Sequence, residues 1–114
     1  MVRLDLGSHR VLLMGDAEAG GRNLPSTKPK ASSIEGELLA CCAADMKADV
    51  LVVGHHGSKT SSRTAFLDAV AAHLFIVSAG PTKYATVVLP DDISELEGRG
   101  QVFRASGRRK ARRL

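Results

Sequence analysis

Two apolar segments of this chain each end in a glycine that is followed at once by a residue able to bind a metal. Residues 11–16 read Val-Leu-Leu-Met-Gly-Asp, and residues 50–57 read Val-Leu-Val-Val-Gly-His-His-Gly. Continuously apolar runs of this length are typical of strands covered on both faces, as in a parallel sheet. Glycine lets the backbone turn sharply where such a strand ends. The pattern therefore favours an α/β fold in which a functional site lies at the carboxyl ends of neighbouring strands.

The rest of the chain alternates between strand-like and helix-like segments, which is the pattern of an α/β domain. The predicted strands are Val2–Leu6, Arg10–Met14, Asp49–Val53, Leu74–Ser78 and Gln101–Arg104. Gly7-Ser8-His9 is a hairpin signal between the first two. Residues 87–89 are compatible with either a short strand or an extended loop. Residues 19–33 are rich in Gly, Pro, Ser, Lys and Asn and predict a long surface loop.

Three helices are predicted from their capping residues. Ser32 or Ser33 caps a helix that runs to about Asp45, with Ile34, Leu38, Cys41 and Cys42 as its apolar stripe. Ser61 or Ser62 caps the next helix, whose inward residues are Phe66, Leu67, Ala69 and Val70. Asp91 or Asp92 caps a short helix that ends at Glu97.

The length of 114 residues suits one small domain. We assign residues 1–104 to that domain and residues 105–114 to a basic tail that is expected to be disordered. The net charge is +4, yet the chain from Arg104 onward holds six basic residues and no acidic one. The body is therefore slightly acidic, and a basic surface for nucleic acid is predicted for the tail alone.

The adjacent Cys41 and Cys42 are expected to be two reduced thiols on a helix, because neighbouring cysteines seldom have the geometry for a disulfide. No segment reaches the ~20 apolar residues of a membrane span, and the N-terminus does not have the pattern of a signal peptide. We therefore expect a cytoplasmic protein, or a soluble domain of a larger membrane protein, with no membrane insertion by this segment.

The residues that follow the two apolar strands, Asp16, His55 and His56, have structural interpretations as well as functional ones. A Gly-Asp pair after a strand is often a plain turn, and a single histidine there is often a hydrogen-bonded structural residue. Because neighbouring side chains diverge, His55 and His56 cannot both follow the inward direction of the strand. One could bind a metal while the other faces the substrate, and together with Asp16 they favour a site for Zn²⁺, Mn²⁺ or Fe.

Several segments resemble the later part of the metallo-β-lactamase domain found in the ComEC family of competence proteins. The segments are Leu-Leu-Met-Gly-Asp-Ala-Glu at 12–18, Glu-Gly-Glu-Leu-Leu at 35–39 and Ala-Asp-Val-Leu-Val-Val-Gly-His-His-Gly-Ser-Lys-Thr-Ser at 48–61. Ile-Val-Ser-Ala-Gly-Pro-Thr-Lys-Tyr at 76–84 and Gly-Gln-Val-Phe-Arg at 100–104 extend the resemblance. It implies that the chain is the C-terminal half of a four-layer αββα sandwich.

The resemblance also implies roles for individual residues. Asp16 matches the carboxylate that bridges two metal ions, zinc or manganese, and His55 matches the last histidine ligand. His56, Ser58 and Lys59 would lie at the mouth of the site as catalytic residues that hold a phosphodiester. Lys83 and Tyr84 match a loop near the same rim.

The first metal motif of that family, His-x-His-x-Asp-His, does not occur in these 114 residues, which contain four histidines. We therefore expect a partial hydrolase domain of the nucleic-acid class that is inactive as an isolated chain. One alternative is that a separate chain with the missing motif completes an active enzyme. Another is a non-enzymatic module that binds nucleic acid through its basic tail. Half a sandwich would leave a sheet face bare, so self-association or a partner that supplies the missing half is also expected.

Overall fold

The structure is a computed structural model that describes residues 1–57, 60–78 and 90–105, with only the backbone described for His56, residues 90–93 and Ala105. It confirms the α/β class. The strands are β1 (Val2–Leu6), β2 (His9–Leu13), β3 (Val50–Val52), β4 (Leu74–Ser78) and β5 (Gln101–Ala105). The α-helices are α1 (Ile34–Cys42), α2 (Thr64–Val70) and α3 (Pro90–Glu97), and 3₁₀ turns cover Ala43–Met46 and Gly54–Gly57.

The five strands form one mixed sheet in the order β1-β2-β3-β4-β5. The pair β1 and β2 is the predicted antiparallel hairpin, in which Leu6 lies opposite His9. The next three pairings are parallel. Strands β2 and β3 are therefore direct neighbours that end at the same edge of the sheet.

One face of the sheet carries the hydrophobic core. Leu12, Leu51 and Phe75 lie side by side on β2, β3 and β4 and are almost wholly buried. The helices and the first 3₁₀ turn contribute the other side of this core, notably Met46, Phe66, Leu67, Val70 and Leu96. The inward residues predicted for α2 are correct, although Ala69 is only half-buried.

The opposite face of the sheet is apolar but less buried than expected. The prediction that β2 is covered on both faces is wrong for the described residues, since Val11 and Leu13 are only half-buried. They share this face with Val50, Val52, Leu74 and Ile76, all half-buried, and with the exposed Val2, Leu4, Leu6 and Phe103. Along each strand, the side chains of this face alternate with the buried side chains, which point to the other face and form the core.

Helix α1 begins as predicted but buries a different stripe. The Ser33 hydroxyl caps it by accepting a hydrogen bond from the Gly36 amide at 3.0 Å. The predicted stripe is wrong at Ile34, which is 49% exposed, and at Cys41, which is also exposed, whereas Glu35 is 1% exposed. The α-helix ends at Cys42, short of Asp45, and continues as the 3₁₀ turn.

The caps predicted for the other two helices are wrong. Arg63 occupies the N-cap position of α2 without a side-chain cap, and Ser61 instead donates a hydrogen bond to the Gly54 carbonyl at 2.8 Å. Helix α3 begins at Pro90, so Asp91 and Asp92 lie within its first turn. Proline suits a first helical position because its missing N–H would have no partner there.

The cysteine prediction also differs from the structure. Cys41 and Cys42 form a disulfide, with their Sγ atoms 2.06 Å apart. The bond lies where the α-helix ends, and Cys42 has non-helical angles of φ −142° and ψ 27°. The disulfide therefore coincides with the change from the α-helix to the 3₁₀ turn.

Some predictions concern residues outside those that the structure describes. These are the 87–89 segment, Lys83 and Tyr84, and the tail from residue 106. Within the described ranges, none of the helices combines the length and the apolar character needed to cross a membrane.

Candidate functional site

The Gly-Asp and Gly-His-His segments meet directly at the carboxyl edge of the sheet. The His55 amide donates a hydrogen bond to the Gly15 carbonyl at 2.7 Å, just beyond the parallel pairing of β2 and β3. Gly15 has a φ of +62°, in the left-handed region that glycine adopts without strain. Gly54 is required for a different reason, since a Cβ there would lie 2.8 Å from the Ala17 carbonyl oxygen.

Asp16 lies on the exposed side of this junction. It lines a cavity of about 330 Å³ together with residues of the loop before α1 and the first residue of α1, namely Glu18, Gly20, Lys30, Ser32, Ser33 and Ile34. The cavity lining therefore combines carboxylates, an ammonium group and hydroxyls with the apolar side chain of Ile34. A larger cavity of about 450 Å³, which includes His9 and Asp49, lies by the hairpin turn at the opposite edge of the sheet.

His55 is half-buried, and the side chains of Glu18 and Thr60 contact its ring. Its Nδ1 atom lies 2.8 Å from Glu18 Oε2 and 2.8 Å from Thr60 Oγ1. Its backbone has a φ of +48°, which is uncommon for a residue with a Cβ. Strained conformations of this kind persist where the surrounding contacts over-determine them.

A buried carboxylate fixes the loop that follows His55. Glu35 accepts hydrogen bonds from the backbone amides of Ser62 and Arg63, the latter at 3.1 Å. Burial raises the pKa of the Glu35 carboxyl, although the two amides and the charge of Arg63 act in the opposite direction. Helix α1 is thereby joined to the loop between the Gly-His-His segment and α2.

The Arg63 side chain extends the same connection into the long loop before α1. Its guanidinium donates hydrogen bonds to the carbonyls of Gly21, at 2.5 Å, and Asn23, at 3.4 Å. Arg63 is 1% exposed although it carries a charge. The prediction of a surface loop at 19–33 is thus incomplete, since Ala19 and Pro25 of this loop are also buried.

The predicted site residues have different outcomes. Asp16 and His55 are brought to one edge of the sheet by β2 and β3. Ser58 and Lys59 lie outside the described residues, as does the side chain of His56. Their predicted roles, and those of Asp16 and His55, remain predictions.

The donor set of the described residues does not by itself fit a metal centre. In ranges 1–57, 60–78 and 90–105, no three His, Cys, Asp or Glu side chains are close enough together to hold an ion. The histidine ring faces the carboxylate of Glu18, and two side chains are fewer than the three or four protein ligands that zinc ordinarily takes. No chemical step through a metal follows from these residues alone.

Sequence reasoning missed three residues that shape this site. Glu18 and Thr60 contact the His55 ring, and Glu35 holds the following loop. For Glu18, the signal available in the sequence was its position two residues after Asp16. Glu35 lies in the first turn of α1, where a carboxylate ordinarily favours the helix dipole, and nothing in the local pattern indicates that its partners lie 27 and 28 residues away.

Two proteins are similar to part of this chain. Recombination protein 2 of Haemophilus influenzae is 39% identical over 80 residues, which are 70% of this chain and 8% of that protein. Competence protein ComA of Neisseria gonorrhoeae is 39% identical over 62 residues, which are 54% of this chain and 9% of that protein. The matched part of the chain thus spans less than a tenth of either relative.

No family model matches the chain. No solved structure matches it either. The two similarities support the resemblance to competence proteins of the ComEC type, and they leave the metallo-β-lactamase fold as an expectation.

Proposed function

We propose that this chain is part of a metal-dependent hydrolase domain of the phosphodiester class, that it serves DNA uptake in competence, and that it is inactive by itself. The competence assignment is supported by the similarity to Competence protein ComA and Recombination protein 2. The hydrolase assignment is supported by the residues at the carboxyl edge of the sheet. There the proposed ligands are Asp16 and His55, with His56, Ser58 and Lys59 toward the substrate.

The observation that carries the hydrolase proposal is the hydrogen bond from the His55 amide to the Gly15 carbonyl. It joins two strand ends that are 40 residues apart in sequence and places a carboxylate-bearing turn beside a histidine-bearing turn. Ligand sites of open α/β sheets form at such edges because side chains from different strands converge there.

The proposed inactivity of the isolated chain follows from the number of ligands. Asp16 and His55 supply two, whereas a catalytic zinc usually takes three protein ligands and a water. The remaining donors would come from a His-x-His-x-Asp-His segment outside these 114 residues, carried by another chain or by another part of a longer protein. Zinc and manganese are the metals that such a mixed carboxylate and imidazole set suits.

The apolar open face of the sheet supports the proposal that a second half of the domain packs against this chain. On β1, the residues that point toward the helices are charged, and Arg3 and Asp5 form an ion pair of 3.1 Å. The residues that point away are apolar, and Leu6 is 60% exposed. A sheet whose outer face met water would show the reverse arrangement.

We therefore propose that this face packs against a second sheet, from the partner that supplies the missing ligands. Its footprint is roughly 400 Å², from five strands at the ordinary spacing and five residues at the ordinary rise. Patches of that size on monomers are often functional. Self-association through the same face is expected when the partner is missing.

The test combines metal titration by calorimetry with a DNA-cleavage assay. The isolated chain should bind Zn²⁺ or Mn²⁺ weakly and should not cleave DNA. Together with a candidate chain that carries the His-x-His-x-Asp-His motif, it should cleave DNA, and both Asp16→Ala and His55→Ala should abolish that cleavage. Asp45→Ala, which removes an exposed carboxylate on the 3₁₀ turn, is the matched control.

Two results would contradict the proposal. Tight metal binding and turnover by the isolated chain, lost in Asp16→Ala, would show that the chain is complete as an enzyme. Cleavage by the mixture that is equally strong with Asp16→Ala would remove this chain from the catalytic site. The alternative of nucleic-acid binding through residues 105–114 predicts binding that weakens steeply with salt and is lost on deletion of the tail.

A further inference from the structure

The ion-pair contact between Glu18 and His55 bears on which ring nitrogen of the histidine carries the proton. Glu18 Oε2 lies 2.8 Å from Nδ1, within hydrogen-bond distance. An ionised carboxylate accepts hydrogen bonds and cannot donate them. An unprotonated Nδ1 would bring two lone pairs together at this distance, so the contact requires a proton on Nδ1.

The second neighbour of Nδ1 does not oppose this assignment. Thr60 Oγ1 is also 2.8 Å from Nδ1, but a hydroxyl can either donate or accept. The threonine therefore adapts to whichever tautomer is present, whereas the carboxylate favours one. An ionised carboxylate oxygen at this distance also attracts an N–H more strongly than a neutral hydroxyl does.

Backbone hydrogen bonds fix the positions of Glu18, Thr60 and His55 relative to one another. The Ala19 amide donates to the Thr60 carbonyl at 2.6 Å, which ties the segment of Glu18 to that of Thr60. The Glu35 amide donates to the Glu18 carbonyl at 3.0 Å, and His55 is held by its bond to Gly15. The side-chain contact thus joins two segments that are already fixed to each other.

We propose that Glu18 is a positioning residue that holds His55 as the tautomer with the proton on Nδ1 and the lone pair on Nε2. In that state Nε2 is the ring nitrogen able to bind a metal or take up a proton. A carboxylate behind a histidine commonly sets the tautomer and the ring orientation in this way. The use of Nε2 in catalysis rests on the proposed function, whereas the tautomer itself does not.

The tautomer can be measured on the full chain without metal or substrate. In nitrogen-15 NMR at about pH 8, where an imidazole is mainly neutral, Nδ1 of His55 should have the shift of a protonated nitrogen. Nε2 should have the shift of an unprotonated one. Glu18→Gln should reduce the ratio of this tautomer to the other by roughly tenfold, because an amide can accept from or donate to Nδ1.

Glu37→Gln is the matched control, because Glu37 is an exposed residue of α1 and should leave the His55 shifts unchanged. The backbone amide spectrum of each variant reports whether the fold is retained. A protonated Nε2 with an unprotonated Nδ1 in the unmodified chain would overturn the proposal without any variant. An unchanged ratio in a folded Glu18→Gln chain would also overturn it. Failure of the cleavage assay with an intact tautomer result would contradict the proposed function only.

Discussion

The His55 amide donates a hydrogen bond of 2.7 Å to the carbonyl of Gly15, and this bond joins the ends of two parallel strands. It depends on a close approach of the two backbones, because Gly54 lies directly against the turn that follows Gly15. A side chain at Gly54 is the most direct way to disturb the junction.

Gly54→Ala should destabilise the protein and weaken this junction. The added Cβ would lie 2.8 Å from the Ala17 carbonyl oxygen and 3.2 Å from Met14 Cβ, so the backbone must move. Overpacking of this kind costs about 1–3 kcal/mol. Urea denaturation measures the loss, and hydrogen exchange of the His55 amide should become faster.

Gly21→Ala is the control for that substitution. A Cβ at Gly21 would meet only the Asn23 side-chain nitrogen at 3.8 Å, an ordinary contact distance. Its stability should lie close to that of the unmodified chain. Equal stability of the two alanine variants would mean that the contact at Gly54 does not hold the junction.

The meeting of the strand ends could be predicted because it follows from a local pattern. Apolar runs that end in Gly-Asp and Gly-His-His predict parallel strands and a shared edge, and β2 and β3 have this arrangement. The strand Leu74–Ser78 was predicted with the observed bounds. Its alternation of buried and half-buried residues is imposed by the two faces of the sheet.

The network behind the site could not be predicted, because its partners are distant in sequence. Arg63 donates to Gly21 across 42 residues, and Glu35 accepts from Ser62 across 27. Helix periodicity would assign a glutamate in the first turn to solvent, where it favours the helix dipole. Only the tertiary fold shows that this carboxylate has backbone donors and is buried.

The burial of Glu35 predicts a pH dependence of stability. Burial raises the pKa of this carboxyl above its usual value of 4.5, so the folded state takes up a proton more readily than the unfolded state. The contribution of Glu35 to stability should therefore be greatest below 4.5 and should decline as the pH rises through the raised pKa. The sign is opposite to that of a carboxylate stabilised by an exposed ion pair.

Urea denaturation of the unmodified chain and of Glu35→Gln, from pH 4.5 upward, measures this contribution. The glutamine does not titrate, so the difference in unfolding free energy between the two chains isolates residue 35. As the pH falls toward 4.5, the unfolding free energy of the unmodified chain should rise relative to that of Glu35→Gln. A difference that is constant with pH, or that changes in the other direction, would show that burial does not dominate the pKa of Glu35.

The end of α2 offers a stabilising substitution. Ala71 has a φ of 56° and a ψ of 34°, and its amide bonds to the Leu67 carbonyl at 2.9 Å in a left-handed cap. Glycine is the usual residue at such a position because it adopts a positive φ without strain. Ala71→Gly should raise the unfolding free energy by about 0.5–1 kcal/mol, after allowance for the greater entropy of the unfolded chain.

Thermal or urea denaturation checks this effect, with Ala65→Gly as control. Ala65 lies inside the same helix and is exposed. Glycine there should destabilise the chain by about 1 kcal/mol. The two substitutions should thus have opposite signs, and a loss of stability in Ala71→Gly would contradict the left-handed cap.

The open face of the sheet predicts association of the chain at high concentration. Phe103 is 54% exposed and Leu4 45% exposed, and both belong to the apolar face that no described helix covers. Burial of apolar area is the main driving force for association. Light scattering over a concentration series should therefore show a mass that rises above that of one chain.

Phe103→Lys and Leu4→Lys should shift this association to higher concentration, because a charge buried within an apolar contact loses its hydration. Ala65→Lys places the same charge on the exposed surface of α2 and should have no effect. A chain that stays monomeric at high concentration would contradict the half-sandwich interpretation. It would do so because an isolated half-sandwich should not keep such an apolar face in water.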